Sequence, residues 1–436
     1  MTWHIIARVG TTDTYLPQLD SSVPRLLTTF DHPTDPAYVH NDAARVILHR
    51  LGVNPPPEAL DLLHFAMSVY YADLRVNRCH GSDRWTRDFV LHLPVVDPVR
   101  WSTSAPVLTR MLQFLTGDRW AAEFRHRPPV AAPPVAAQQL RLNNIQAVSL
   151  FSGGLDSLVG AIDLLAAGRF VALVGHHGAG VTNAVQENVL NALQRYGPLA
   201  APFMFYVQPP RSGDNDGEQS MRSRSILFLT LGVAVAATLG GGQSLNVAEN
   251  GLISLIVPLS PATTGSSSTR TTHPHFLALF REFVGAVGLN VRIDTPYRFQ
   301  TKGEMLQQCA AQDVLRATAP LTMSCSHPES GRFRGHAPSD HCGYCVPCII
   351  RRASLHAAGL PQSRYSVDVT TNPPSPDTDT GRDLRAFQIA LERLRNAPAT
   401  RYLFDVLSTG PIPPPDAAQH AETYRRGLAE VGRLLG

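Results

Sequence analysis

The sequence predicts an α/β protein built on a parallel sheet, and three observations lead there. Between Asn144 and about Ala319 five apolar runs, AVSLF, FVALVGHH, FMFYVQ, SLNVAE and NVRIDTP, alternate with helix-length intervals, as strands joined by crossover helices do. Residues Ser152 to Ser157 read SGGLDS directly after the first run, a glycine-rich turn from a strand into a helix. Four cysteines, Cys325, Cys342, Cys345 and Cys348, crowd into the segment that closes this region. Ligands of such sheets bind at the carboxyl ends of strands, so the chemistry is expected around SGGLDS.

The elements follow in order. Residues 1–126 hold strand-like HIIARV and DFVLHLPVV, and Leu60, Leu63, Met67, Tyr70 and Leu74 at the spacing of one helix face, which predicts a mixed α+β domain. All four tryptophans lie there, and packing is their expected use. Residues 127–143, opening RPPVAAPPVAA, read as a stiff extended linker. The α/β domain spans 144–360. Within it the run Ile226 to Gly242 is short for a membrane span and ends in glycines, so it reads as a buried helix. Two polar stretches, Arg211 to Ser220 and Thr263 to Thr272, read either as loops over a pocket or as plain surface connections. Residues 361–436, punctuated by NPPSPDTDTG and GPIPPPD, predict a helical C-terminal extension.

Composition bounds the function. The 436 residues suit two or three domains. With 44% hydrophobic and 17% charged residues the chain is not globally disordered. Its net charge of +3 argues against a general polyanion binder. The first residues lack a secretion signal, so the cytoplasm is the expected compartment. Lys302 is the only lysine; every other member of the Lys+Arg count is arginine. Lys302 follows a strand end and opens a helix, where a cation near phosphate makes chemical sense.

In SGGLDS, glycines let the backbone approach an oxyanion, the helix start presents unpaired N–H groups, and Ser152 and Ser157 add hydroxyls. That is a cradle for pyrophosphate. It lacks the Walker GK[ST], so γ-phosphate transfer is not indicated. The cysteine spacing C-x16-C-x2-C-x2-C suits a closed tetrahedral zinc site. An iron–sulfur cluster is the alternative use of four thiolates. Cys79 and Cys309 lie elsewhere and read as buried apolar residues.

SGGLDS resembles the signature of the PP-loop ATP pyrophosphatases, which have an adenine-nucleotide (HUP-like) fold and split ATP into AMP and pyrophosphate to activate a substrate. With the cysteine cluster, residues 145–358 resemble the QueC family of 7-cyano-7-deazaguanine synthases, which adenylate 7-carboxy-7-deazaguanine and convert its carboxylate to an amide and then a nitrile. MRSRSILFLTLGVAVA is similar to that family's GRN-x-x-FL helix, setting Arg224 on its arginine and Ser225 on its asparagine. RIDTPYRFQTKGEML sets Lys302 on the family's lysine, and CGYCVPCIIR sets Arg351 on its arginine. The resemblance implies ATP and Mg²⁺ as cofactors with a structural Zn²⁺. It makes Asp156, Lys302 and Arg224 catalytic. Nucleotide contacts fall to Ser152, Gly153, Gly154, Asp156, Ser157, Arg224 and Lys302, and metal ligation to Cys325, Cys342, Cys345 and Cys348.

The chain also departs from the family. Glu249 aligns with a family glutamate, but AENGLISLIVPLSPATTGSSSTRTTHPH lacks the following acid and the YPDCR element. Glu249 and Arg270 are the candidate substrate contacts in this altered stretch. The extra N- and C-terminal regions resemble QueC-like proteins encoded with bacterial anti-phage defence systems such as Qat. That likeness implies protein partners from the same system. The expected activity is an ATP-dependent ligase joining a 7-deazaguanine-type carboxylate to an amine, either ammonia or a partner-protein amine. A tRNA-modifying PP-loop enzyme and a non-catalytic nucleotide sensor are the alternatives; no membrane partner is expected and nucleic acid is not strongly indicated.

Overall fold

The computed structural model describes residues 1–127, 144–177, 180–196, 202–210, 217–218, 222–240, 242–259, 270–330, 335–337 and 339–436. The linker, apart from Arg127, lies outside the described residues, as do most of the two polar stretches.

Residues 1–126 form strands β1 (Thr2–Val9), β2 (Arg25–Phe30), β3 (His40–Asn41), β4 (Asp88–Val95) and β5 (Arg119–His126), with helices α1 (Ala43–Leu51), α2 (Pro57–Arg75) and α3 (Pro98–Thr116). Four of the strands make one sheet in the order β2-β1-β4-β5, every pair parallel. The expected mixed α+β arrangement is therefore corrected to α/β. Helices α2 and α3 serve as crossovers, and the linking segment 10–24, which has no helical periodicity to betray it, carries the chain from β1 to a parallel β2.

The second sheet is built from β6 (Ala147–Leu150), β7 (Val171–His177), β8 (Phe203–Gln208), β9 (Ser244–Asn246) and β10 (Arg292–Asp294). These are the five apolar runs of the sequence. Their order is β10-β9-β6-β7-β8, all parallel, with β3 added antiparallel at the β8 edge. Between them run α4 (Leu155–Ala166), α5 (Val181–Leu193), α6 (Arg224–Leu239), α7 (Gly251–Leu255) and α8 (Pro274–Ala286). After β10 come α9 (Lys302–Gln308), α10 (Gln312–Thr318) and α11 (Val346–Ala357), then α12 (Arg382–Leu394), α13 (Ala399–Leu407) and α14 (Pro414–Leu435).

One core joins the two sheets. Helix α6, apolar on all sides, is buried from Ile226 to Leu227 and Leu229 to Ala236, between its own sheet and α2, while α3 packs on α8. Phe65, Trp101 and Phe283 meet at ring separations of 5.4–5.9 Å across that seam. Residues 1–126 are thus not a body packed by itself. They complete the second sheet through β3 and cover α6 and α8. Among the described residues no helix is long and apolar enough to cross a membrane.

The topology marks a ligand crevice. From β6 the chain winds outward through β7 and β8, then returns to place β9 on the other side of β6. The carboxyl ends of β6 and β9 therefore flank the switch point, and SGGLDS follows β6 while Glu249 and Asn250 follow β9.

Candidate functional site

The turn after β6 is shaped by its glycines. Gly153 has φ +80°, a conformation that disfavours a side chain, and an added Cβ would meet Gln186 at 3.0 Å. Gly154, extended, caps α4. The Ser152 and Ser157 hydroxyls face one another at 3.3 Å, and Ser157 donates to the Gly154 carbonyl at 3.0 Å. Ser152 is exposed, whereas Asp156 and Ser157 are buried.

Asp156, in the first turn of α4, is the hub. Its Oδ1 accepts from the Lys302 ammonium at 2.6 Å, and its Oδ2 from the Asn250 side chain at 2.7 Å. Burial opposes ionisation of Asp156, but the Lys302 charge and these hydrogen bonds override it and hold the carboxyl below its ordinary value. Glu249 goes the other way. Burial, then the Asp156 charge, pushes it up to about 8, so at neutral pH it is largely protonated while Asp156 is ionised. Lys302, like Asp156 more than nine-tenths buried, thus makes a buried ion pair stapling α9 to α4 at the switch point.

Glu249 also lines a cavity of about 300 Å³. Arg281, Arg298, Thr295, Thr272 and Asp416 line it as well. The Thr272 hydroxyl is buried with no hydrogen-bond partner among the described residues, a group that a polar ligand would satisfy.

Arg224 opens α6 beyond the sheet's carboxyl edge. It makes no hydrogen bond or ion pair among the described residues, and its charge acts on Tyr70 and His176. Burial, then Arg224, pushes His176 down to about 4, so this imidazole at the end of β7 is neutral. Arg270 is placed elsewhere. Its guanidinium donates to the Phe114 carbonyl at 3.0 Å and lies 4.6 Å from that ring, a packing use on α3, and it is not part of the cavity wall that contains Glu249.

The four cysteine sulfurs all lie within 4.8 Å of one another, so the cluster can hold a metal ion such as zinc. Cys342 and Cys348 sulfurs are 3.7 Å apart, and two thiolates about 2.3 Å from one tetrahedral ion would stand ~3.8 Å apart. Backbone N–H groups of Ser326, His327 and Cys342 point at the sulfurs at 3.3–3.4 Å, the outer shell that orients such ligands. Hydrogen bonds with Cys325, then Cys342 and Cys348, pull Cys345 down, whereas those with Cys325 and then Cys345 push Cys342 up, and those with Cys325, Cys342 and Cys345 push Cys348 up. Without a cation the four cannot ionise together.

The cluster is wired to the turn by Met323 and Ser324, which the sequence does not mark, and by Arg351, which it does. Met323 N–H donates to the Gly153 carbonyl at 3.1 Å, and Ser324 Oγ accepts from Leu155 N–H at 3.3 Å, immediately before Cys325. Arg351, fully buried, donates to Thr322 and Ser324 hydroxyls at 2.8 and 3.4 Å and to the Ala319 carbonyl at 2.9 Å. Its role here is to hold that strap. Asn250 was as hidden as Met323 and Ser324, since an asparagine after a short strand has no distinguishing pattern. Compared with protein-family models, curated proteins and solved structures, the chain matches none.

Proposed function

We propose that the chain is a QueC-like, ATP pyrophosphatase-type carbon–nitrogen ligase acting on a 7-carboxy-7-deazaguanine-like carboxylate. The observation that carries this reading is the convergence of SGGLDS, Asp156, Lys302 and Asn250 at the β6/β9 switch point. A carboxylate oxygen of the substrate attacks the α-phosphorus of ATP, the α–β bridge bond breaks, and pyrophosphate leaves into the turn. An amine then attacks the acyl carbon and AMP departs, the amine losing a proton. Gly153, Gly154 and the two serines bind the departing oxyanion, and Lys302 and Arg224 oppose its charge. Mg²⁺, when bound, would shield the phosphates; Asp156, joined by Glu249 once the cation displaces its proton, would supply hard oxygen ligands for it.

The cavity beside Glu249 is the place for the carboxylate substrate, with Arg281 and Arg298 available to its anionic end. The cysteine cluster holds structural Zn²⁺ that fixes the turn through Met323 and Ser324. Ammonia or a partner-protein amine is the acceptor, in the setting of anti-phage defence in the cytoplasm. The test is product analysis with MgATP, 7-carboxy-7-deazaguanine and ammonia. AMP and pyrophosphate are expected, with Asp156→Asn slower by about 100-fold or more, as when one transition-state group is removed. Direct release of ADP and orthophosphate contradicts the reading.

A further inference from the structure

We propose that Glu430, on the C-terminal helix α14, is the positioning residue for Lys302. This rests on the reading of Lys302 as the cation of the ATP site. Helix α14 lies outside the segment that carries the phosphate turn and the cysteine cluster, yet it grips both sides of Lys302.

The start of α9 is closed by a capping box: Thr301 Oγ1 accepts from Glu304 N–H at 3.1 Å, and Glu304 accepts from Thr301 N–H at 2.9 Å. Onto this cap Glu430 sets its buried carboxylate, one oxygen accepting from the Thr301 hydroxyl and the other from Gly303 N–H at 3.2 Å. The residues before and after Lys302 are thus held by one side chain. Glycine at position 303 makes room for this, because a Cβ there would stand 2.6–2.8 Å from the Glu430 carboxyl group and push it aside. A negative group is also favourable at a helix start.

The rest of the face repeats the pattern. Arg426 pairs with Glu304 at 2.6 Å and donates to the Phe299 carbonyl at 2.8 Å, which also accepts from Thr423 at 3.0 Å. Residues 423, 426 and 430 share one helix face. Beside them Gly427 leaves room for Leu252, whose side chain an added Cβ would meet at 2.7 Å. The same helix therefore braces α9, which carries Lys302, and α7, which follows Glu249 and Asn250. Glu430 acts through backbone placement: the ammonium meets Asp156 only where the first turn of α9 stays fixed.

The single lysine makes the test direct. In the full-length protein, without ATP, trace acylation by acetic anhydride is followed at Lys302 by peptide mass spectrometry. Glu430→Ala is expected to raise Lys302 reactivity about tenfold and to lower kcat for AMP formation about 100-fold with little change in KM for ATP, the cost of misplacing a reacting group by about 1 Å. Glu430→Gln, which keeps an oxygen acceptor, should restore both to within about threefold, and Glu430→Asp, one methylene short, should fall between. Arg425→Ala, on the exposed face of α14, should leave Lys302 as it is. Unchanged Lys302 reactivity in folded Glu430→Ala overturns the proposal; if that variant does not fold, unchanged reactivity in Glu430→Asp does so. Labelling needs no turnover. A Glu430-dependent Lys302 in a protein that never forms AMP would keep the positioning role and reject the ligase, whereas AMP formation with Glu430-independent labelling would do the reverse.

Discussion

Asp156 and Glu249 are two carboxyl groups that cannot both be charged comfortably beside one ammonium, and the pH dependence of the protein should show it. Glu249 binds its proton more tightly folded than unfolded, so between its ordinary value near 4.5 and about 8 the native state holds the extra proton and stability falls as pH rises. Asp156 contributes the opposite way: its stabilisation is present above its ordinary value of 3.8 and is lost only as acid titrates it below that. Glu249→Gln should flatten the slope between pH 5 and 8 and raise stability at pH 8 by more than about 1 kcal/mol, since a pKa difference of one between folded and unfolded states is worth about 1.4 kcal/mol. Urea unfolding at several pH values checks this; an unaltered slope would place the proton elsewhere. At this scale the sequence was informative where composition singled a residue out. Lys302 stood alone among arginines, and the glycines and Asp156 sat in a spaced motif. Asn250, Ser324 and Glu430 had no such mark, since each acts through a contact more than ninety residues away in sequence. Arg270, the other candidate of the altered stretch, packs on Phe114 and donates to its carbonyl, while its Nε has no hydrogen-bond partner among the described residues.

Among elements, the short strap Thr322–Cys325 links the cysteine cluster to the SGGLDS turn. Its Met323 and Ser324 contacts fix the Gly153 carbonyl and the Leu155 N–H, so metal loss should be felt in SGGLDS. Chelation, or Cys345→Ser, is expected to lower bound zinc and folding yield together, because metal binding in such a cluster is folding free energy. In whatever folded protein survives chelation, hydrogen exchange should speed up across residues 151–158. Full protection there without metal would show that the strap holds by itself. The five core strands were legible as apolar runs at helix-length intervals. Strand β3 was not, being two residues long and defined only by its partner β8. The parallel pairing of β1 with β2 was also hidden, since a crossover without a helix leaves no periodicity.

Across the whole molecule, the N-terminal region packs on α6 and α8 of the second sheet, and the C-terminal helices pack on α7, α9 and α11. Residues 1–126 share the core of α6 and α8, so removing them would expose apolar surface on the second sheet's helices and report on stability, not on partner docking. Proline-rich punctuation suggested separable domains because it marks chain breaks; it carries no information on which apolar faces later meet. The C-terminal helices, legible as helices from their spacing, proved to hold the Lys302 turn, a role only the folded chain displays. In the proposed reaction a carboxylate attacks the α-phosphorus of ATP in the β6/β9 crevice. The most direct measurement uses 7-carboxy-7-deazaguanine labelled with ¹⁸O in both carboxylate oxygens, MgATP and an amine, with mass analysis of the nucleotide product. One ¹⁸O per AMP is predicted, carried over when the acyl-adenylate is opened by the amine; AMP without label, or label in orthophosphate alongside ADP, would contradict the account.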